Sequence, residues 1–203
     1  MKLLLFRVHG HDPLSAVIVG ETRTKYTHAA VLVDEATNKI CEAYMPVVHY
    51  RLLLDSELAG IDAFDISGLT SDGVAGALAY CDAAVAAKEP YSIENLCRFS
   101  GVLRDLLGEA QDVGVHSPVI CSQFAFDVFD RGAHLKLLNA PSYVLAPGYL
   151  AWSTLLTPAA ALQAMAGRPA AALKPMGNGT NGNNGTNGVP EIAALSRDAA
   201  TLS

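Results

Sequence analysis

The stretch Val119-Ile120-Cys121-Ser122-Gln123-Phe124 places a single cysteine at the start of a predicted helix, which we expect to span 121–129. In the first turn of a helix the backbone N–H groups lack intrahelical acceptors and the macrodipole is positive. Both conditions favour a thiolate over a thiol. The same N–H groups would face an oxyanion formed when the sulfur attacks a carbonyl. The stretch therefore predicts either a nucleophilic cysteine or, as for many free cysteines, a small buried side chain.

The composition predicts one globular domain. The chain has 203 residues, of which 51% are hydrophobic and 17% charged, and this suits a compact core. The net charge of −6 and the absence of a Lys/Arg cluster argue against a nucleic-acid partner. No apolar run reaches the roughly 18 residues of a membrane span, and the N-terminal residues lack a secretory cleavage site. We therefore expect a cytoplasmic protein, with no transmembrane segment and no cofactor.

The predicted organisation divides the chain into a domain at 1–174, a flexible Gly/Asn-rich linker at 175–188 and a short C-terminal segment at 189–203. Alternating apolar residues predict strands at 3–8, 16–19, 27–34, 39–43, 62–66 and 142–146. Helical periodicity and capping residues predict helices at 71–88, 92–107, 121–129 and 158–166, with a turn at 147–148. The four cysteines have no C-x-x-C spacing, which argues against disulfides and a zinc cluster.

A nucleophilic cysteine needs a base, and the base needs an orienting group. His28 opens an otherwise apolar predicted strand, and Glu42 interrupts the returning arm of the same predicted hairpin. On paired arms these two side chains share a face, with Glu42 offset along the ladder. A carboxylate on one ring nitrogen fixes the tautomer and leaves the other nitrogen for the sulfur. Taken singly, the two residues also fit an edge histidine and a solvent-facing glutamate.

Four short motifs carry a resemblance to a known family, and the resemblance spans about residues 8–152. They are "YTHAAVLV" at 26–33, "ICEAY" at 40–44, "VICSQFAF" at 119–126 and "LAPGYLAWS" at 145–153. Their order and spacing resemble the circularly permuted branch of the NlpC-type papain-like superfamily, the YiiX/YaeF-like proteins, which lecithin:retinol acyltransferases also resemble. The chain departs from the usual pattern at Gln123, where Glu is common, at Tyr149, and at Ala29-Ala30.

The resemblance implies an α+β, permuted papain-like fold in which helices pack against an antiparallel, barrel-like sheet. Cys121 would be the nucleophile, His28 the general base, and Glu42 the residue that orients His28. The substrate-binding or oxyanion candidates are Tyr26, Ser122 and Gln123. The implied reaction is hydrolysis of an amide bond through a thioester, as in an amidase or peptidase, with cell-wall peptides among the substrates. A cytoplasmic enzyme of that kind would need release by lysis or by a dedicated secretion machine.

Three alternatives stay open. The same triad would serve a lipid-directed acyltransferase or thioesterase acting on a lipid ester, with an apolar pocket or ordinary core at Leu96, Phe99, Val102 and Leu103. The scaffold would also serve as a non-catalytic binding module. A metal site at His9, His11 and His28 is a remote alternative, because their spacing fits no standard zinc pattern.

Overall fold

Six strands form one antiparallel sheet in the computed structural model, which describes residues 1–7, 23–92, 94–95, 118–160 and 162. The strands are β1 (Lys2–Arg7), β2 (Tyr26–Asp34), β3 (Lys39–Tyr44), β4 (Val47–Leu52), β5 (Ile61–Ile66) and β6 (Leu156–Pro158). Their order in the sheet is β4-β3-β2-β1-β5-β6. The described residues belong to a compact unit at Met1–Ala166. The predicted α+β class is confirmed, whereas the barrel-like closure of the sheet stays a prediction.

The helices are α1 (Ser71–Ala86), α2 (Cys121–Asp127) and α3 (Pro147–Leu150). A π-helical turn at Val128–Gly132 directly follows α2, and short 3-10 turns lie at Leu58–Gly60 and Ser142–Val144. The sequence predicts Ser71 as the cap of this helix, but Thr70 caps α1, because its hydroxyl accepts a hydrogen bond from Gly73 N at 3.1 Å. No helix in the described part of the chain has both the length and the apolarity to cross a membrane. The cytoplasmic location stays a prediction.

The two faces of the sheet are buried in different clusters because alternate strand residues point to opposite sides. On one side Leu3 and Leu5 of β1 join a large cluster with the phenylalanines of α2. On the other side Leu4 and Phe6 join a smaller cluster with Leu32 and Ile40. The face of α1 that enters the large cluster carries Ala77, Cys81 and Ala84, whereas the larger side chains of Val74, Leu78 and Val85 are only partly buried.

Glycines allow α1 to pack closely on the π-helical turn. A Cβ atom at Gly76 would lie 2.2 Å from the carbonyl oxygen of Gly132, which is far inside van der Waals contact. A Cβ at Gly132 would likewise lie 2.9 Å from Ala77 Cα. The backbones of the two elements therefore touch where a side chain would hold them apart.

Several predicted elements are wrong. The predicted strand at 142–146 is a 3-10 turn followed by a short extended segment between Pro141 and Pro147. The predicted turn at 147–148 is the start of α3, where proline suits the first helical position. The first residues of the helix predicted at 158–166 are not helical: Pro158 ends β6, and Ala159 N donates to Ala63 O at 2.9 Å in continuation of that pairing. Residues 161 and 163–166 of that prediction lie outside the described residues. Strand β4 was not predicted.

Other predictions fall partly or wholly outside the described residues. They include the strand at 16–19, the linker at 175–188 and the C-terminal segment at 189–203. Of the helix predicted at 92–107, only the beginning is described: Glu94 and Asn95 are helical, and Ser92 Oγ accepts from Asn95 N at 2.9 Å.

Candidate active site

The candidate site is centred on His28, which lies on β2 beside Glu42 of β3. His28 Nε2 is 2.7 Å from Glu42 Oε2. On the β2–β3 ladder Cys41 pairs with Val31. Continuing this pairing by one residue makes Glu42, which follows Cys41, a diagonal neighbour of His28 on the same face of the sheet. The predicted contact between the two side chains is thus present. It leaves Nδ1 as the ring nitrogen available to a sulfur.

Two aromatic rings hold the imidazole of His28 in place. Phe6 contacts it at a centroid distance of 5.1 Å and Tyr44 at 5.8 Å, both edge-to-face. The side chain of His28 is nevertheless 16% exposed. The side chains of Glu42 and Cys121 are almost completely buried. Of these three residues, His28 is therefore the one that contacts solvent.

Cys121 is the first residue of α2, and Ile120 is the N-cap, with extended backbone. Phe124 N donates to Ile120 O at 2.9 Å, which is the first hydrogen bond of the helix. The N–H groups of residues 121–123 precede it and have no acceptor within the helix. Helix α2 packs against β2 and β3, the strands that carry His28 and Glu42. The side chain of Cys121 is a hydrogen-bond partner of His28.

The charge on His28 follows from its two acidic neighbours. Burial alone would lower the pKa of the imidazole, but Cys121 and Glu42 outweigh it and raise that pKa from 6.5 to about 10. At neutral pH His28 is therefore an imidazolium between a carboxylate and a sulfur. Such an imidazolium stabilises a thiolate and has a proton to give to a leaving group.

Glu42 is ionised although it is buried. Burial alone would raise its pKa, but His28 and Arg51 reverse the effect and lower that pKa from 4.5 to about 2. Arg51 Nε donates to Glu42 Oε1, and Arg51 in turn binds Glu57. His49 Nε2 lies 3.6 Å from Glu42 Oε1.

Arg51 and Glu57 were missed from the sequence. Arg51 lies on β4, and without that strand nothing places it near Glu42. The available signal was the alternation in Val47-Val48-His49-Tyr50-Arg51, which follows β3 after a two-residue turn.

The structure places the other predicted site residues apart from this contact. Tyr26 OH donates to Asp62 Oδ2 at 2.7 Å, and a register shift separates Tyr26 from His28 along β2. Ser122 Oγ donates to Leu145 O at 2.5 Å. Gln123 is buried, with no described hydrogen-bond partner for Oε1, and helical geometry turns it about 200° from Cys121. Their roles stay predictions.

The remaining candidates lie outside the described residues: His9, His11 and the apolar positions Leu96, Phe99, Val102 and Leu103. Within the described residues, no group of three or more His, Cys, Asp or Glu side chains is arranged to hold a metal ion. Neither a protein-family model nor a curated protein matches the chain. The functional inference therefore rests on the geometry of Cys121, His28 and Glu42.

Proposed function

We propose that this protein is a cysteine hydrolase of the amidase or peptidase type. Cys121 is the nucleophile, His28 is the group that transfers protons as general acid and general base, and Glu42 orients His28. The observation that carries the proposal is the position of one imidazole between a buried carboxylate and a thiol at a helix start. Three side chains of these types, in this order, are the working parts of a cysteine-dependent acyl transfer.

The reaction begins with attack of the Cys121 thiolate on a carbonyl carbon, which forms a C–S bond and a tetrahedral oxyanion. Backbone N–H groups in the first turn of α2 are suited to stabilise that oxyanion. His28 then protonates the leaving amine as the C–N bond breaks, and a thioester remains on the sulfur. A water molecule gives a proton to His28 and attacks the thioester. The C–S bond breaks, the acid leaves, and Cys121 returns as the thiolate.

The chain order supports a circularly permuted papain-like fold of the NlpC type. The base and its orienting residue precede the nucleophile, on neighbouring strands of an antiparallel sheet. The proposed nucleophile follows later in the chain, on a helix that packs against those strands. We propose a peptide or other amide as the substrate class. No described contact favours a lipid ester.

The test is the pH dependence of alkylation by iodoacetamide, mapped to each cysteine by mass spectrometry. Cys41, Cys81 and Cys121 are all buried, so burial alone predicts slow labelling of all three. An imidazole-paired thiolate predicts fast labelling of Cys121 at pH 6 but not of Cys41 or Cys81, and a loss of that labelling in His28→Ala. His134→Asn is the matched control, because asparagine tolerates the positive φ of 54° at that position.

Cys121 that reacts as an ordinary thiol in both wild type and His28→Ala would overturn the proposal and favour a non-catalytic binding module. An activated Cys121 justifies a comparison of dipeptide amides with short-chain thioesters. Hydrolysis of thioesters without amides would replace the amidase by an acyltransferase or thioesterase.

A further inference from the structure

The carboxylate of Glu42 is buried to a degree that requires partners. Its side chain is 2% exposed, and a buried carboxylate is unfavourable unless cations or hydrogen-bond donors surround it. The charged or titratable groups that face it from the neighbouring strands are His28 on β2, and His49 and Arg51 on β4. His28 takes one of its two oxygens, so the partner of the other oxygen decides how the carboxylate is aimed.

Arg51 is that partner. On the β3–β4 ladder Glu42 pairs with His49, and Arg51 follows two residues later on the same face of the sheet. Arg51 Nε donates to Oε1 of Glu42, whereas Arg51 Nη2 lies 3.5 Å from Oε2, the oxygen bound to His28. Oε1 thus takes the short hydrogen bond from Arg51, whereas Oε2 takes the short one from His28 and only a long one from Arg51.

Glu57 fixes the guanidinium of Arg51 from the other side. Arg51 Nη1 donates to Glu57 Oε2 at 2.7 Å, and Nη2 donates to Oε1 at 2.9 Å, which is the paired geometry that guanidinium and carboxylate favour. Glu57 Oε2 also accepts from Leu54 N at 2.7 Å, so the turn after β4 holds Glu57 in place. The contacts form one chain of residues, Glu57, Arg51, Glu42 and His28, which ends at Cys121.

We propose that Arg51, held by Glu57, is a positioning residue for the reaction: it satisfies Oε1 of Glu42 and so directs Oε2 at His28. The inference rests on the proposed function. Arg51 does not touch the reacting atoms, and its effect reaches Cys121 only through Glu42 and His28. A purely structural Arg51 would stabilise the fold without changing the reactivity of Cys121, and this difference is measurable.

The experiment compares Arg51→Gln with Arg131→Gln in the full chain. Arg131 is a matched control, because its side chain is 27% exposed against 28% for Arg51, and it pairs at 3.5 Å with the buried Asp127. The readouts are the rate of Cys121 alkylation by iodoacetamide between pH 4 and 9, and the midpoint of urea unfolding. We expect alkylation at pH 6 to slow by about 10- to 100-fold in Arg51→Gln. This factor corresponds to the free energy that a hydrogen bond to a charged group usually contributes.

The acid side of the pH profile gives a second readout. Without Arg51, Glu42 takes up a proton at a higher pH, so the loss of Cys121 reactivity on acidification should move to higher pH. Arg131→Gln should keep the wild-type rate and profile even where its unfolding midpoint falls. A wild-type rate and profile in Arg51→Gln would overturn the positioning role. It would leave the proposed function standing, provided that His28→Ala abolishes fast labelling.

Arg51→Lys tests the positioning role of Arg51 if Arg51→Gln does not fold. Lysine keeps the positive charge but loses the planar fork that contacts Glu42 and Glu57 together. We expect a labelling rate between those of wild type and His28→Ala, with Arg131→Lys unchanged. Wild-type labelling by a folded Arg51→Lys protein, when Arg51→Gln is unfolded, would assign Arg51 to stability alone. Slow labelling in the wild-type protein would instead overturn the proposed function itself.

Discussion

His28 Nε2 lies 2.7 Å from Glu42 Oε2, although the two residues are 14 positions apart in the chain and belong to different strands. The contact orients the imidazole and keeps it charged next to Cys121. Phe6 and Tyr44 restrict the ring further. Because one hairpin supplies both residues, their geometry depends on the register of β2 against β3.

Replacing Glu42 by glutamine should destabilise the protein. Glu42→Gln removes the carboxylate that partners both His28 and Arg51 in a buried setting, and we expect the free energy of unfolding to fall by about 2 kcal/mol. Urea unfolding at pH 7 measures the change. Glu35→Gln is the control: Glu35 is 52% exposed and pairs with Lys2, so its loss should cost less than about 0.5 kcal/mol. Equal effects of the two substitutions would contradict this account of Glu42.

His28 should remain protonated well above neutral pH. Its pKa is raised to about 10 in the folded chain, and Cys121 is the leading cause that raises it. The Cε1 proton of His28, followed by NMR from pH 5 to 11, should therefore titrate near pH 10 in wild type and at lower pH in Cys121→Ala. A midpoint near 6.5 in the wild-type protein would contradict the charged pair.

The same shift predicts how stability depends on pH. The folded chain holds the His28 proton more tightly than the unfolded chain, so this contribution is complete below about pH 6.5 and is lost as the pH rises through about 10. The difference in free energy of unfolding between wild type and His28→Gln should shrink across that interval. Urea titrations at pH 6, 8 and 10 measure it, and a difference that grows with pH would have the wrong sign.

Gly76→Ala should destabilise the fold although alanine is the better helix former. The new methyl group would meet Gly132 O at 2.2 Å, and we expect a net loss of about 1–3 kcal/mol despite a gain of about 1 kcal/mol in helix propensity. In Gly73→Ala, in the same helix, the new methyl group would have no contact shorter than the 3.2 Å to Leu69, with Ala133 O and Thr70 Oγ1 at 3.4 Å. Thermal unfolding should separate the two variants, and a Gly76→Ala protein as stable as Gly73→Ala would argue against the backbone contact.

Ser122→Ala separates an anchoring role from a chemical one. Ser122 Oγ donates to Leu145 O at 2.5 Å, so the substitution removes a buried hydrogen bond and should lower the free energy of unfolding by about 1 kcal/mol. The pH profile of Cys121 alkylation should stay as in wild type. A displaced profile would mean that Ser122 contributes to the reacting site, as the sequence resemblance suggests.

The sequence was most informative where local pattern and burial agree. Strands β1, β2, β3 and β5 were predicted to within one or two residues, because each is an alternating or apolar run bounded by turn residues. The same hairpin logic placed His28 and Glu42 on one face. The start of α2 at Cys121 was also predicted, and in the structure Ile120 is its extended N-cap.

The rest depended on contacts between distant segments. Strand β4 carries His49, Tyr50 and Arg51, and these polar residues do not indicate a strand by themselves. The strand forms because it pairs with β3. The segment at 142–146 is apolar enough for a strand, but Leu145 O is taken by Ser122 of α2 instead of a neighbouring strand. Arg51 and Glu57 became visible only once β4 and the turn after it brought them to Glu42.

The hairpin of β2 and β3 has a consequence for how the protein is made. Imidazole and carboxylate meet across a short loop, so this half of the site needs only local chain closure, while the sulfur comes from a much later segment whose docking requires long-range contacts. A growing polypeptide therefore contains His28 and Glu42 before Cys121 is synthesised. In the proposed hydrolase, activation of the thiol would wait for the long-range contacts of the finished fold.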